Sequence, residues 1–133
     1  MELHRYTAKA SPAFYNYYMN TTAIGTSYER VAAAYLEEQG LYIMEQNWRT
    51  KWCEVDIVAR DEQGVIHIVE VRYRKTADSG NGIDSITPAK QRQLIHAAKR
   101  WLMLRNAPVG IQIDVIGLTG ETVEYIPNAV QEG

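Results

Sequence analysis

Apolar positions along the chain switch between helical and strand periods, and the switches predict seven elements. From Thr26 or Ser27 to Gln39 the apolar residues Val31, Ala32, Tyr35 and Leu36 fall at i, i+1, i+4 and i+5, the spacing of one helix face. Thr26 or Ser27 supplies an N-cap and Gly40 a C-terminal stop. Leu41 to Arg49 reads as a strand, and Cys53 to Arg60 as another, with Cys53, Val55, Ile57 and Ala59 expected on one face and Glu54, Asp56, Val58 and Arg60 on the other. Asp61-Glu62-Gln63-Gly64 has the composition of a hairpin turn, and Val65 to Tyr73 is rich enough in β-branched residues to be central in a sheet. Lys75 to Ile86 has loop composition. Thr87 then caps a second helix that starts at Pro88 and carries the stripe Leu94, Ile95, Ala98, Trp101 and Leu102. Ile111 to Leu118 and Thr122 to Ile126 form a strand pair around Gly120. The expected order is α-β-β-β-α-β-β, an α/β domain whose mixed central sheet is flanked by helices.

Residues 1–24 break this regularity. They hold Tyr6, Phe14, Tyr15, Tyr17 and Tyr18 among small and polar residues, with no period that fixes a helix. Two readings stand: a tail or short helix packed on the domain, or an aromatic arm whose rings stack on exposed bases or on a second subunit. Residues 25–133 form the domain itself, with no internal repeat and no linker that would divide it.

Composition narrows the class. At 133 residues, 46% of them hydrophobic, the chain is long enough to bury a core as one domain. Its single cysteine, Cys53, excludes an intrachain disulfide and a Cys-rich zinc site, as suits a reducing compartment. No signal-type apolar stretch opens the chain, and nowhere do about 18 apolar residues run together as a membrane span requires. The expectation is a cytoplasmic protein with no membrane partner. The formal charge of −2 argues against nucleic-acid binding only until its distribution is read. Eight of the fourteen Lys and Arg lie between Arg72 and Arg105, against only Asp78 and Asp84.

Candidate chemistry sits on the two central strands. Val-Asp56-Ile-Val and Ile-Val-Glu70-Val-Arg72 place ionisable residues inside runs otherwise fit for burial, where an unpaired charge is costly. An acid at a strand end is usually only solvated; it is the apolar context that marks these two. Carboxylates on adjacent strands can hold a hard divalent cation, Mg²⁺ or Mn²⁺, through oxygen ligands and water. Such an ion supports phosphodiester hydrolysis by lowering the pKa of a bound water and neutralising charge on phosphate oxygens. Arg72, about 7 Å along the strand from Glu70, can reach a phosphate, and Glu29 on the first helix is a natural third acid. Taken alone, Glu29 is a helix-surface residue. His67, on the face opposite Glu70, reads as a packed or surface histidine, and His96 as a helix-surface one.

At these residues the sequence resembles the YraN family, small bacterial proteins regarded as endonuclease-like and related in fold to archaeal Holliday junction resolvases and type II restriction enzymes. The resemblance runs over about residues 25–130. It is carried by Gly25 with Glu29, Tyr35-Leu36 with Gly40, Asn47-Trp48-Arg49, Cys53-Glu54-Val55-Asp56, Val69-Glu70-Val71-Arg72 and Thr87-Pro88-Ala89-Lys90. It implies a restriction endonuclease-like core of the PD-(D/E)xK type. Asp56 and Glu70 would be metal ligands, the Val71 backbone carbonyl a further one, Glu29 an accessory acid and Lys90 a phosphate contact. Cys53 stands where the family has Gly, and Arg72 where the motif has Lys. The second departure bears on mechanism, because Arg stays protonated and cannot act as a base.

Around that site Arg74, Lys75, Lys90, Arg92, Lys99 and Arg100 are the candidate nucleic-acid contacts. A basic helix face is ordinarily a solvated surface; beside a metal site it is also what would track a phosphate backbone. The functional expectation is a metal-dependent endonuclease acting on DNA ahead of RNA, with branched or flapped DNA as one substrate form and a homodimer as one assembly. Two alternatives are a nucleic-acid-binding module attenuated through Arg72 and a dimerising adaptor that works through its aromatic arm.

Overall fold

The computed structural model describes residues 6–9, 24–74, 86–105, 110–119 and 122–132. The elements are β1 (Tyr6–Lys9), α1 (Ile24–Glu38), β2 (Tyr42–Arg49), β3 (Glu54–Arg60), β4 (Ile66–Arg74), α2 (Pro88–Arg105), β5 (Ile111–Thr119) and β6 (Thr122–Val130). From α1 onward the order is the one the apolar periods predict. The six strands form one mixed sheet in the order β1-β6-β5-β4-β3-β2. All neighbours are antiparallel except β4 and β5, which are parallel because α2 crosses between them.

The two helices cover opposite faces of the sheet. Against α1, Val31, Ala32, Tyr35 and Leu36 pack on Ile57, Val69, Ile116 and Leu118. Against α2, Leu94, Ala97, Ala98 and Trp101 pack on Val55, Val58, Ile68 and Val115. Both faces of β4 and β5 are therefore buried, which is why these strands read as nearly continuous apolar runs. At the far end of α2, Trp101 Nε1 donates to Glu45 at 2.7 Å and Arg105 pairs with the same carboxylate at 2.5 Å, tying the helix to edge strand β2. Among the described residues, no helix is long and apolar enough to cross a membrane.

Four local features differ from the sequence expectation. Within residues 1–24 a strand forms at Tyr6–Lys9 and pairs with β6, where a tail or helix was expected; the rest of that arm, up to residue 23, lies outside the described residues, as does the expected loop at 75–85. Helix α1 starts at Ile24, so Thr26 and Ser27 lie inside it rather than capping it. Its end is as expected. Gly40, at φ 93°, lets Gly40 N–H donate to the Glu37 carbonyl and Leu41 N–H to the Leu36 carbonyl, each at 3.0 Å, which closes a Schellman motif and aims the chain into β2.

Strand β6 runs through Pro127 to Val130, beyond the end at Ile126 expected from the sequence. The pairing slips between Val115↔Ile126 and Ile113↔Val130, and Asn128 at φ 53° carries the bulge that accommodates the proline. The strict alternation expected in β3 also fails. Val55 packs with Val58 on the α2 face, whereas Ile57 and Ala59 lie on the α1 face. The break in period falls at Asp56, where β3 stops following β4.

Candidate functional site

The β3–β4 ladder runs from Arg60↔Ile66 to Ile57↔Val69 and then opens. In that register the next opposed pair would be Asp56 and Glu70. Instead of a backbone carbonyl, the Asp56 side chain meets β4: its Oδ2 accepts the Val71 N–H at 2.8 Å. The N–H and C=O of an extended residue face the same neighbour. The Val71 carbonyl therefore also points into the gap between the strands.

Glu70 follows Ile66 and Ile68 on the α2 face and is only 5% exposed. Its Lys90 partner comes from the first turn of α2. That turn is set by Thr87, whose Oγ1 accepts the Lys90 N–H at 3.1 Å, and by Gln91, whose side chain donates to the Ile86 carbonyl. Lys90 Nζ stands 3.2 Å from Glu70 Oε2, an ion-pair distance, but off the direction of a hydrogen bond, so Oε2 is buried with no hydrogen-bond donor aligned on it. Burial, then hydrogen bonding to Asp56 and the Asp56 charge, push the Glu70 carboxyl up to about 8 against the pull of Lys90.

These residues suit a hard cation. A buried carboxylate oxygen without a donor, a second carboxylate beside it and a main-chain carbonyl facing the same gap form the oxygen donor set that Mg²⁺ or Mn²⁺ takes. Among the described residues no group of three His, Cys, Asp or Glu side chains gathers to hold an ion. A cation here would rest on Asp56, Glu70 and Val71, with water completing its shell.

Glu29 is held slightly apart. Its Oε2 accepts from Asn47 Nδ2 at 2.8 Å, an arrangement made at the point where Asn47 takes a left-handed φ of 53°. Burial pushes the Glu29 carboxyl up, the Asn47 bond opposes this, and the charges of Asp56 and Glu54 add to the rise. Glu29 thus feels Asp56 electrostatically while its hydrogen bond goes to Asn47. Arg72 lies two residues beyond Glu70 on the same strand face and is half-buried.

The remaining basic candidates divide by position. Arg92 is exposed one turn or less from Lys90, at the site end of α2. Lys99 lies toward the opposite end and pairs with Glu132 at 2.6 Å, and Arg100 is half-buried beside it. Of Arg74 only the backbone is described, and Lys75 lies outside the described residues.

A second polar cluster escaped the sequence reading. His67 is buried, with Nδ1 2.6 Å from Asp114 Oδ2 and Nε2 2.9 Å from Asp61 Oδ2. Asp114, 0% exposed, also accepts from the Tyr125 hydroxyl at 2.6 Å, from Gln112 Nε2 and from the Asn128 N–H, both at 2.8 Å. Burial alone would lower the His67 pKa; the two carboxylates outweigh it and raise it. The signal was available, since Asp114 interrupts the run Ile-Gln-Ile-Asp-Val-Ile in the way Asp56 and Glu70 interrupt theirs.

Residues 28–118 match the family described as Uncharacterised protein family UPF0102. The chain belongs to that family. A UPF0102 protein of Pectobacterium carotovorum subsp. carotovorum is 40% identical over 114 residues, covering 84% of this chain and 96% of that protein. A UPF0102 protein of Vibrio parahaemolyticus is 36% identical over 114 residues, covering 83% and 93%. Among solved structures, this UPF0102 chain has a distant likeness to Pyrococcus furiosus SfsA in complex with Ca²⁺, at 15% identity and a TM-score of 0.32, covering 81% of this chain and 64% of that one. The match to the family spans α1 through β5, and so includes Glu29, Asp56, Glu70, Arg72 and Lys90.

Proposed function

We propose that this UPF0102 chain is a metal-dependent nuclease of the PD-(D/E)xK type, acting on DNA ahead of RNA. The observation that carries the reading is the opened β3–β4 ladder, where Glu70 buries an oxygen with no aligned donor beside Asp56. Leaving a carboxylate so placed costs stability unless it serves a ligand.

A divalent cation bound there would activate a water and offset charge on the phosphate. The protein's own groups do the rest. Asp56 and Glu70 would hold the ion, and the Val71 N–H fixes the orientation of the Asp56 carboxylate. Lys90, paired with Glu70 at 3.2 Å, is the ammonium that would turn to a phosphate oxygen were Glu70 to ligate a cation. Arg72 holds a second phosphate oxygen through its planar fork but cannot take a proton. Glu29, held by Asn47, stands where it can orient a water near Asp56.

The test is cleavage of end-labelled duplex, single strand, flap, splayed arm, four-way junction and RNA with Mg²⁺ or Mn²⁺. Cleavage of any member by the wild type, falling to background in Asp56→Ala, supports the proposal. No cleavage of any member by the wild type or by Arg72→Lys overturns it. Arg72 in the motif Lys position favours one other reading, a nucleic-acid-binding module with attenuated turnover; cleavage by Arg72→Lys alone would establish it.

A further inference from the structure

The β2–β3 turn hangs over the same end of the sheet as Asp56 and Glu70, because β3 begins where β4 ends. At its tip Trp52 is 66% exposed. The turn that carries it is fixed. Thr50 Oγ1 accepts the N–H groups of Trp52 and Cys53, each at 3.2 Å, Thr50 N–H donates to the Cys53 carbonyl at 2.9 Å, and Cys53 is buried in the core.

An indole held out on a rigid turn keeps most of its apolar area in water and gains nothing from the core. What it has beside it is positive charge. Lys51 Nζ lies 5.7 Å from the indole ring, while Arg49, which precedes the turn, is paired with Glu54 at 3.2 Å, so Lys51 is the cation nearest the ring among the described residues. A flat apolar ring next to a lysine ammonium matches an unpaired nucleotide, whose base stacks while its phosphate meets the charge. Trp52 lies in the turn four positions before Asp56, which puts the two at most about 13 Å apart along the chain. That distance places a base on Trp52 a few nucleotides from a phosphate at the carboxylates.

Building on the nucleic-acid reading of that site, we infer that Trp52 is a stacking platform for an unpaired base, so that the substrate carries a single-stranded segment next to the bond that is cut. A fully paired duplex offers no free base face and does not use this ring.

The experiment measures binding of fluorescently labelled oligothymidine and of a labelled blunt hairpin duplex by anisotropy, in chelator so that nothing is cut. Wild type, Trp52→Phe and Trp52→Ala are compared. Trp52→Ala is expected to weaken oligothymidine binding roughly 5- to 150-fold, the range that removal of one base–aromatic stack gives. Trp52→Phe should retain most of the affinity, and duplex binding should not change. Because the side chain is exposed, unchanged thermal unfolding of both variants is the check on folding. Equal affinity of wild type and Trp52→Ala for oligothymidine overturns the platform alone, as does an equal loss on both probes. A fall in solution mass for Trp52→Ala without a fall in affinity also overturns it, in favour of a contact between copies. If the wild type binds neither probe, the nucleic-acid reading itself fails and takes the platform with it.

Discussion

Replacing Glu70 by Gln should make the metal-free protein more stable, by an amount that grows with pH. Burial and Asp56 disfavour the charge of the carboxyl more than Lys90 favours it, and push it from its ordinary value of 4.5 up to about 8 in the folded chain. Between those two values the folded state binds a proton that the unfolded state does not, so stability falls as pH rises. Near pH 4.5 the two proteins should be alike. At pH 7 the gap is about 2.5 units at about 1.36 kcal/mol each, so the wild type gives up roughly 3 kcal/mol, with the Lys90 attraction already counted. Gln keeps the shape without the charge and should recover most of this. Urea unfolding of both proteins in chelator from pH 5 to pH 8 measures it, and the difference between them cancels the contribution of His67. Mg²⁺ or Mn²⁺ should then stabilise the wild type but not the variant, by RT ln(1 + [L]/Kd). A Glu70→Gln protein less stable than wild type at pH 8, or a difference flat in pH, would refute the argument.

The further outcomes concern stability at two places away from the site, Asp114 and Gly40. Asp114→Ala should cost roughly 3–5 kcal/mol in urea unfolding, since it leaves His67, Tyr125 and the Asn128 N–H without their buried acceptor. Asp114→Asn should cost less, because its amide can face a neutral His67 whose other nitrogen donates to Asp61. His67 has a raised folded pKa, so the stability it adds is present below about 6.5 and lost as pH rises through the folded value. Asp114→Asn should weaken that dependence, leaving only the part due to Asp61. Gly40→Ala should cost about 1 kcal/mol through backbone strain at φ 93° alone, as a Cβ there meets nothing within 4 Å.

Much of the fold was legible because each element agrees with its own local signals. Gly40 ends α1, Thr87 and Pro88 open α2, and the β4 and β5 runs are apolar because helices cover both faces. Asp56 and Glu70 stood out for the opposite reason, as charges where burial was expected. The departures are non-local. The bulge after Pro127 depends on how β6 meets β5, and the lost alternation in β3 depends on a side chain bonding a neighbouring strand. Asn47 holding Glu29 and the His67–Asp114 pair join residues 18 and 47 positions apart, and no window of sequence contains either partner's reason.

On the proposed nuclease reading, the bond from Asp56 to the Val71 N–H would set the order in which a descendant of this chain drifts away from catalysis. Neutralising Glu70 should be rewarded at once with the more stable fold predicted above, whereas deleting the Asp56 oxygen would strand a main-chain donor at the mouth of the sheet. Selection relaxed on chemistry would therefore erase Glu70 first and keep an acceptor at position 56 longest. On that reading, a relative with Asp or Asn at position 56 and an uncharged residue at position 70 would be a retired enzyme with its scaffold intact.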